Sequence, residues 1–325
     1  MTAAHISLSG ILRLHQLWLE NPAGGGRADL TGLTFNESTL VGINLSKAIL
    51  TRATFLDSNL AGSDLSRAQL QKADMQRANL AGADLTGANL TDADFGGVWF
   101  ANANLAETSG TGPSFRRAKL VKARLQEVSF QQASFEKASA RGAAFHQARF
   151  YDADFQGSDV TEAQFYHARL QHVRFNGSVA VSTNFSGSKL DNCNFAAVDL
   201  RGAKFTRAEI LQCSFREARL EECDFREVRL RGGNFDRAVL AGARFAGAQL
   251  RSTDFRGTNL QDARELTPQQ LLEAITDRTT ILPNGTKGPY MRASGAERPK
   301  QATPKQEKGP TAAGSSYALP PEESA

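Results

Sequence analysis

Three cations recur at a fixed interval in this sequence: Arg149, Arg169 and Lys189, each 20 residues from the last. Around them stand Tyr151, Tyr166, His146, His167 and His172. Cationic and aromatic side chains gathered on one surface recognise acidic partners or nucleic acid. They do not by themselves make a catalytic set. The chain has no Gly-rich phosphate loop, no HExxH and no nucleophile elbow, so the expectation is a protein that is not an enzyme. Its cysteines are Cys193, Cys213 and Cys223. They lack CxxC spacing and a histidine at ligand spacing, and read as small core residues in a reducing compartment, with no metal and no cofactor.

What must position these residues is a five-residue period. Every fifth residue from Leu30 to Leu260 is Leu, Phe, Ile or Met, except Gly110, Ala140, Val160 and Ala180. All 20 phenylalanines fall in this register. The residue two before each is small or uncharged, with Leu33, Ile43 and Pro113 as bulky exceptions. Two residues in five therefore face a dry interior and three face water. That period is neither the 3.6 of a helix nor the 2 of a strand, and it points to a solenoid.

Ala78-Asn79-Leu80-Ala81-Gly82 and Ala83-Asp84-Leu85-Thr86-Gly87 are followed at once by Ala88-Asn89-Leu90-Thr91-Asp92. These units resemble the A(D/N)Lxx consensus of the pentapeptide-repeat family, and the resemblance covers over two-thirds of the chain. It implies an all-β fold, a right-handed quadrilateral parallel β-helix with four pentapeptides per coil. About 12 coils and a rod of roughly 55 Å are then expected at strand spacing. Residues 20 apart should stack, which would make Arg149, Arg169 and Lys189 one column and set His146 beneath Tyr166. Phe165, Phe175, Phe185, Leu190 and Phe195 should lie in the core. Ala140, Val160 and Ala180 would form one under-filled column, compensated by phenylalanines on the other walls.

The chain divides accordingly. Residues 1–27 read as an N-terminal capping helix and a Gly-rich link. Ile11, Leu12, Leu14, Trp18 and Leu19 form its apolar stripe, and caps are expected because open solenoid ends expose core and strand edges. Residues 28–265 form the β-helix, with a local defect over 106–114, where Gly110, Gly112 and Pro113 suggest a bulge or kink. Residues 266–285 read as a C-terminal cap, with Thr267-Pro268 opening a short helix whose apolar stripe is Leu271, Leu272 and Ile275. Residues 286–325, rich in Pro, Gly, Ser, Lys and Glu, read as a disordered tail. No secretory signal or membrane span is read in the chain, so the expected setting is bacterial and cytoplasmic.

Charge is uneven. Six basic and nine acidic residues lie between Arg27 and Gly110, against 24 and 18 from 111 to 265. The expected role is a rigid protein-interaction scaffold with a protein partner. Some pentapeptide-repeat proteins mimic DNA and bind gyrase in fluoroquinolone resistance, so a topoisomerase-directed role is one alternative. Binding of an anionic polymer, nucleic acid included, through the basic column is another. The end caps also offer a route to a homodimer.

Overall fold

The computed structural model describes residues 7–299. Its body is a parallel β-solenoid in which bridge partners lie twenty residues apart: Asp29 with Ile49, Thr34 with Thr54, Thr39 with Asn59, Asn44 with Asp64. Four bridge columns per coil make the cross-section four-sided. Three backbone bonds per pentad tie coil to coil. Leu90 N donates to Ser109 O at 2.8 Å, Asp92 N to Thr111 O at 2.8 Å, and Asp94 N to Ala73 O at 2.9 Å. The small residue gives this ladder its carbonyl but not its N–H. Its N–H closes the corner instead, as Ala68 N donates to Leu65 O at 3.0 Å. The residue before it takes a left-handed conformation, Arg67 at φ 55°, which is the geometry of a type II turn.

That division of labour explains the Gly110–Pro113 segment. The expected bulge or kink does not form, and Gly110 pairs with Phe130 in unbroken register. Pro113 sits at the small position, whose N–H takes no part in the ladder. Gly110 has a separate reason. A Cβ there would stand 2.8 Å from Thr91 N and 2.9 Å from Leu90 C.

What does change at Pro113 is the corner. Ala133, Ala153 and Val173, its successors in the column, also make no corner bond to the preceding core residue. The chain stays extended one residue longer on this wall, giving seven strands. These are β1 (Ser109–Thr111), β2 (Ser129–Gln131), β3 (Arg149–Tyr151), β4 (Arg169–Gln171), β5 (Lys189–Asp191), β6 (Glu209–Leu211) and β7 (Arg229–Arg231). They form one parallel sheet in chain order. The expectation of about twelve coils counted every pentad alike; the continuous sheet takes only six coil-to-coil steps. Single bridges join the other walls.

The core is a stack of aromatic layers. Phe165 lies 4.4 Å from Phe145 and 5.2 Å from Phe185, nearly parallel to both, and edge-on to Phe155 and Phe175. Such pairs contribute about 0.5–1.5 kcal/mol each beyond burial. Phe165, Phe175, Phe185, Leu190 and Phe195 are buried, as are Ala140, Val160 and Ala180.

Both ends are closed by side chains rather than by apolar contact alone. Helix α1 (Leu8–Glu20) starts at Ser7, whose Oγ accepts from Gly10 N at 3.3 Å. Leu8, Ile11 and Leu12 pack on the first coils. Leu14 faces solvent, unlike its place in the expected stripe, and the buried residue of that face is His15. Gly25 lets the link cross the helix, since a Cβ there would collide with the backbone at Trp18 and Leu14. At the other end, α2 (Pro268–Glu273) has a reciprocal cap between Thr267 and Gln270. The same Gln270 amide donates to Phe245 O and Ala248 O, both at 2.8 Å, satisfying carbonyls of the final coils. Leu271 is buried, but Leu272 and Ile275 are exposed, contrary to the stripe.

The tail reading is corrected for residues 286–299. Lys287 pairs antiparallel with Ile281. Tyr290 is buried, with its N–H on Thr276 Oγ1 at 2.9 Å and its hydroxyl on Glu297 at 3.0 Å. One anchored aromatic offsets the ordering cost of a segment whose composition is otherwise polar. Residues 300–325 of the expected tail lie outside the described residues.

Candidate anion-binding wall

The opened corner makes the β1–β7 wall the one with continuous strands, and the basic column stands on it. Arg149 pairs with Arg169, and Arg169 with Lys189, in ladder register. The column continues to Glu209 and Arg229. Lys189 Nζ meets Glu209 at 3.0 Å and Arg229 reaches the same carboxylate at 3.4 Å. Arg149 and Arg169 differ: among the described residues, neither has a carboxylate within 4.0 Å. Strands stand about 4.8 Å apart, so two guanidinium groups stand side by side with no carboxylate in ion-pair contact, the nearby Glu127 lining the same groove beyond ion-pair reach. Like charges placed opposite each other in a sheet destabilise it.

The aromatic residues fall on both sides of this column. On one side, the His146 and Tyr166 rings lie with centroids 4.0 Å apart at a tilt of 32°, and Tyr166 meets the edge of His167 at 5.6 Å. Burial holds His146 below the ordinary histidine pKa, so it favours the neutral ring. On the other side, Tyr151 meets the edge of His172 at 5.7 Å. Arg149, Arg169, Lys189 and His167 line a common groove of roughly 650 Å³ with Gln147 and Glu127. His146 lies outside it, beneath Tyr166, and Tyr151 and His172 stand on the far edge.

Gly187 shapes the groove and was not legible as a functional position. A Cβ on it would stand 2.7 Å from the His167 ring, so the missing side chain is what lets that imidazole lie over the corner. Only the twenty-residue offset between His167 and Gly187 could have shown it. The groove is open, and its groups present charge and hydrogen-bond donors without a nucleophile held against a base.

The cysteines are free and buried. Cys193 Sγ donates to Leu170 O at 3.4 Å and Cys213 Sγ to Leu190 O at 3.6 Å. These carbonyls belong to core residues next to opened corners. Burial pushes the Cys213 and Cys223 thiols well above the ordinary range, leaving them protonated and unreactive. No helix among the described residues is long and apolar enough to cross a membrane.

Fold and wall together define a class: a four-sided parallel β-solenoid that displays outward side chains in twenty-residue columns. Family models agree with that class along its length. The model described as pentapeptide repeats (8 copies) matches residues 28–67, 63–98 and 88–126. The model described as pentapeptide repeat region matches 111–185, 128–205 and 188–264. The chain belongs to the pentapeptide-repeat family.

Among solved structures, the chain is similar to HetL, a pentapeptide repeat protein involved in heterocyst differentiation regulation from the cyanobacterium Nostoc sp. strain PCC 7120. Identity is 24%, covering 77% of this chain and 97% of that one, with a TM-score of 0.29. It is also similar to QnrB1, a plasmid-mediated fluoroquinolone resistance protein, at 20% identity over 52% of this chain and 89% of that one, TM-score 0.35. A pentapeptide repeat protein of the Arabidopsis thaliana thylakoid lumen is 26% identical over 36% of this chain and 74% of its own, TM-score 0.18. No curated protein matches the chain.

Proposed function

We propose that the chain is a rigid, non-catalytic scaffold whose β3–β5 wall docks an acidic surface of a protein partner. The observation that carries this reading is the Arg149–Arg169 pair, adjacent in register and, among the described residues, with no carboxylate within 4.0 Å of either. An acidic partner supplies the missing counter-charge. The composition of the wall supports a protein rather than another polyanion. Arg and Tyr are enriched at protein interfaces, and Tyr151 and Tyr166 are both exposed beside the column. The stacked core holds the wall rigid, which lowers the ordering cost of association.

A DNA mimic aimed at gyrase requires a continuous acidic face. The aspartates available for it are split between opposite walls: Asp64 bridges Asp84, and Asp74 bridges Asp94. Each also accepts the N–H two residues on, as Asp84 Oδ1 does from Thr86 N at 2.8 Å and Asp94 Oδ1 from Gly96 N at 2.8 Å. They serve the corners as turn acceptors. The expected result is that gyrase supercoiling and its quinolone sensitivity are unchanged by added protein.

The test of the scaffold reading is affinity capture from the native host with wild-type protein and with Arg149→Glu/Arg169→Glu. Loss of a specific acidic partner from the variant supports it. An unchanged captured set, at unchanged salt resistance, contradicts it.

A further inference from the structure

Trp99 is the largest exposed aromatic on the solenoid. It stands outward on the wall opposite β1–β7, with 59% of its surface exposed. Its backbone is fixed from both sides. Trp99 N donates to Ala78 O at 3.0 Å, Leu80 N donates to Trp99 O at 2.8 Å, and Phe100 beneath it is fully buried. The indole therefore stands on a rigid platform without a side-chain roof, between Asn79 on one coil and Lys119 on the next.

The adjoining coil is basic. Arg117, Lys119, Lys122 and Arg124 follow one another with no acidic residue between Ser114 and Gln126. Nearby Arg116, Lys137 and Arg141 are engaged with Glu136 and Asp159. Among the described residues, none of Arg117, Lys119, Lys122 and Arg124 has a carboxylate within 4.0 Å. Arg117 and Lys122 occupy the two left-handed corners flanking Lys119, at φ 58° and 55°. Three unpaired cations thus span one wall beside the indole.

We infer that this surface binds single-stranded nucleic acid, with an unpaired base stacked on Trp99 and phosphates on Lys119, Lys122 and Arg117. Stacking on an open aromatic ring beside a cationic track is how sequence-tolerant single-strand sites are built. The residue types separate this wall from the opposite one. Two of its three unpaired cations are Lys, a residue depleted at protein interfaces, and one of them, Lys119, is the register neighbour of Trp99. Asn79 is the register neighbour of Trp99 on the preceding coil, and Trp99 itself is 59% exposed. The site is independent of the β3–β5 wall, so a scaffold using both would hold a protein and a nucleic acid on opposite faces.

The chain has two tryptophans, Trp99 and Trp18, so emission reports the site directly. Trp18 is part-buried on α1 under the Arg27 guanidinium, 5.9 Å from its ring. The probe is an oligothymidylate of about 12 nucleotides. It should quench Trp99, and the logarithm of affinity should fall with the logarithm of salt at a slope of about −2 for three phosphates. Trp99→Ala, which removes an exposed side chain, should melt like wild type and bind about ten-fold more weakly. Lys119→Glu/Lys122→Glu should abolish binding, while Arg149→Glu/Arg169→Glu leaves it unchanged. The inference is overturned if wild-type emission does not respond, if Trp99→Ala binds as tightly as wild type, or if poly-glutamate binds equally well. Because the β3–β5 variant is a separate arm, either reading can fail without the other.

Discussion

Arg149 and Arg169 are register partners in adjacent parallel strands, and no acidic side chain of the described protein comes within 4.0 Å of either. Two coils further along, Glu209 neutralises the same column between Lys189 and Arg229. The wall therefore carries an unneutralised segment beside a neutralised one. An acidic partner, as proposed, would supply the counter-charge the first lacks. That arrangement predicts an opposition between stability and binding. Arg169→Glu should raise stability by roughly 0.2–1 kcal/mol, because it places a carboxylate between Arg149 and Lys189. The same change should weaken partner capture. Denaturant midpoints and capture on the one variant check both signs.

The N-terminal cap should be pH-dependent. His15 Nδ1 accepts from Ala28 N at 3.1 Å, which leaves Nε2 as the donor to Ser46 O at 3.0 Å. Only the neutral ring can do both. Burial, the largest cause, lowers its pKa from 6.5, and Arg27 adds to that, while the Ser46 bond acts the other way. With the folded value depressed, the cap's contribution is complete above pH 6.5. It is lost as pH falls from there through the folded value. The hydrogen-exchange protection factor at Ala28 should fall as pH is lowered through that window. In His15→Leu protection at Ala28 should be low at every pH, because its N–H loses its acceptor. His146, also depressed by burial, adds a loss of the same sign to global stability, so the local Ala28 readout separates the two.

Core substitutions should follow the stacked columns. Phe165→Ala removes two parallel and two edge contacts and should cost about 3–5 kcal/mol. Phe165→Asp should cost more, since it buries an unpaired charge between coils. Equal denaturant midpoints for Phe165→Asp and wild type would refute the inward register.

Gly110 and Pro113 should respond oppositely. Gly110→Ala drives a Cβ into the Leu90–Thr91 backbone and should destabilise by about 1–3 kcal/mol. Pro113→Ala restores an N–H that the ladder does not use and should be well tolerated. Thermal melts of the two single variants distinguish a packing requirement at Gly110 from a general fragility of the segment.

The inward register was legible because the buried apolar positions of residues 28–260 obey one period, and a solenoid repeats one local environment. Corner types were not. Reading them requires knowing that the small residue's N–H serves the turn and not the ladder, which makes Pro113 harmless to pairing. The caps were legible as elements but not in their contacts. His15 and Gln270 act by single hydrogen-bonded placements against carbonyls of neighbouring coils, and no periodicity marks them. Tyr290 escaped for the same reason: composition averages over a segment, whereas one buried ring can order it. In the basic column, the types and spacing of Arg149, Arg169 and Lys189 were readable. Which of them is paired was not, because the contact of Glu209 with Lys189, and the lack of one at Arg149 and Arg169, depends on side-chain reach.

The most direct measurement is site-specific photo-crosslinking at two positions on opposite walls of the same coil region. Gln171 on β4 is exposed beside the basic column, and Val179 is exposed on the far side. A photo-crosslinker in place of Gln171 should trap one acidic protein from the native host, and Arg149→Glu/Arg169→Glu should abolish that product. The Val179 position should not trap it. Capture of the same protein from both positions, or from Gln171 in the charge-reversed variant, would contradict docking on the β3–β5 wall.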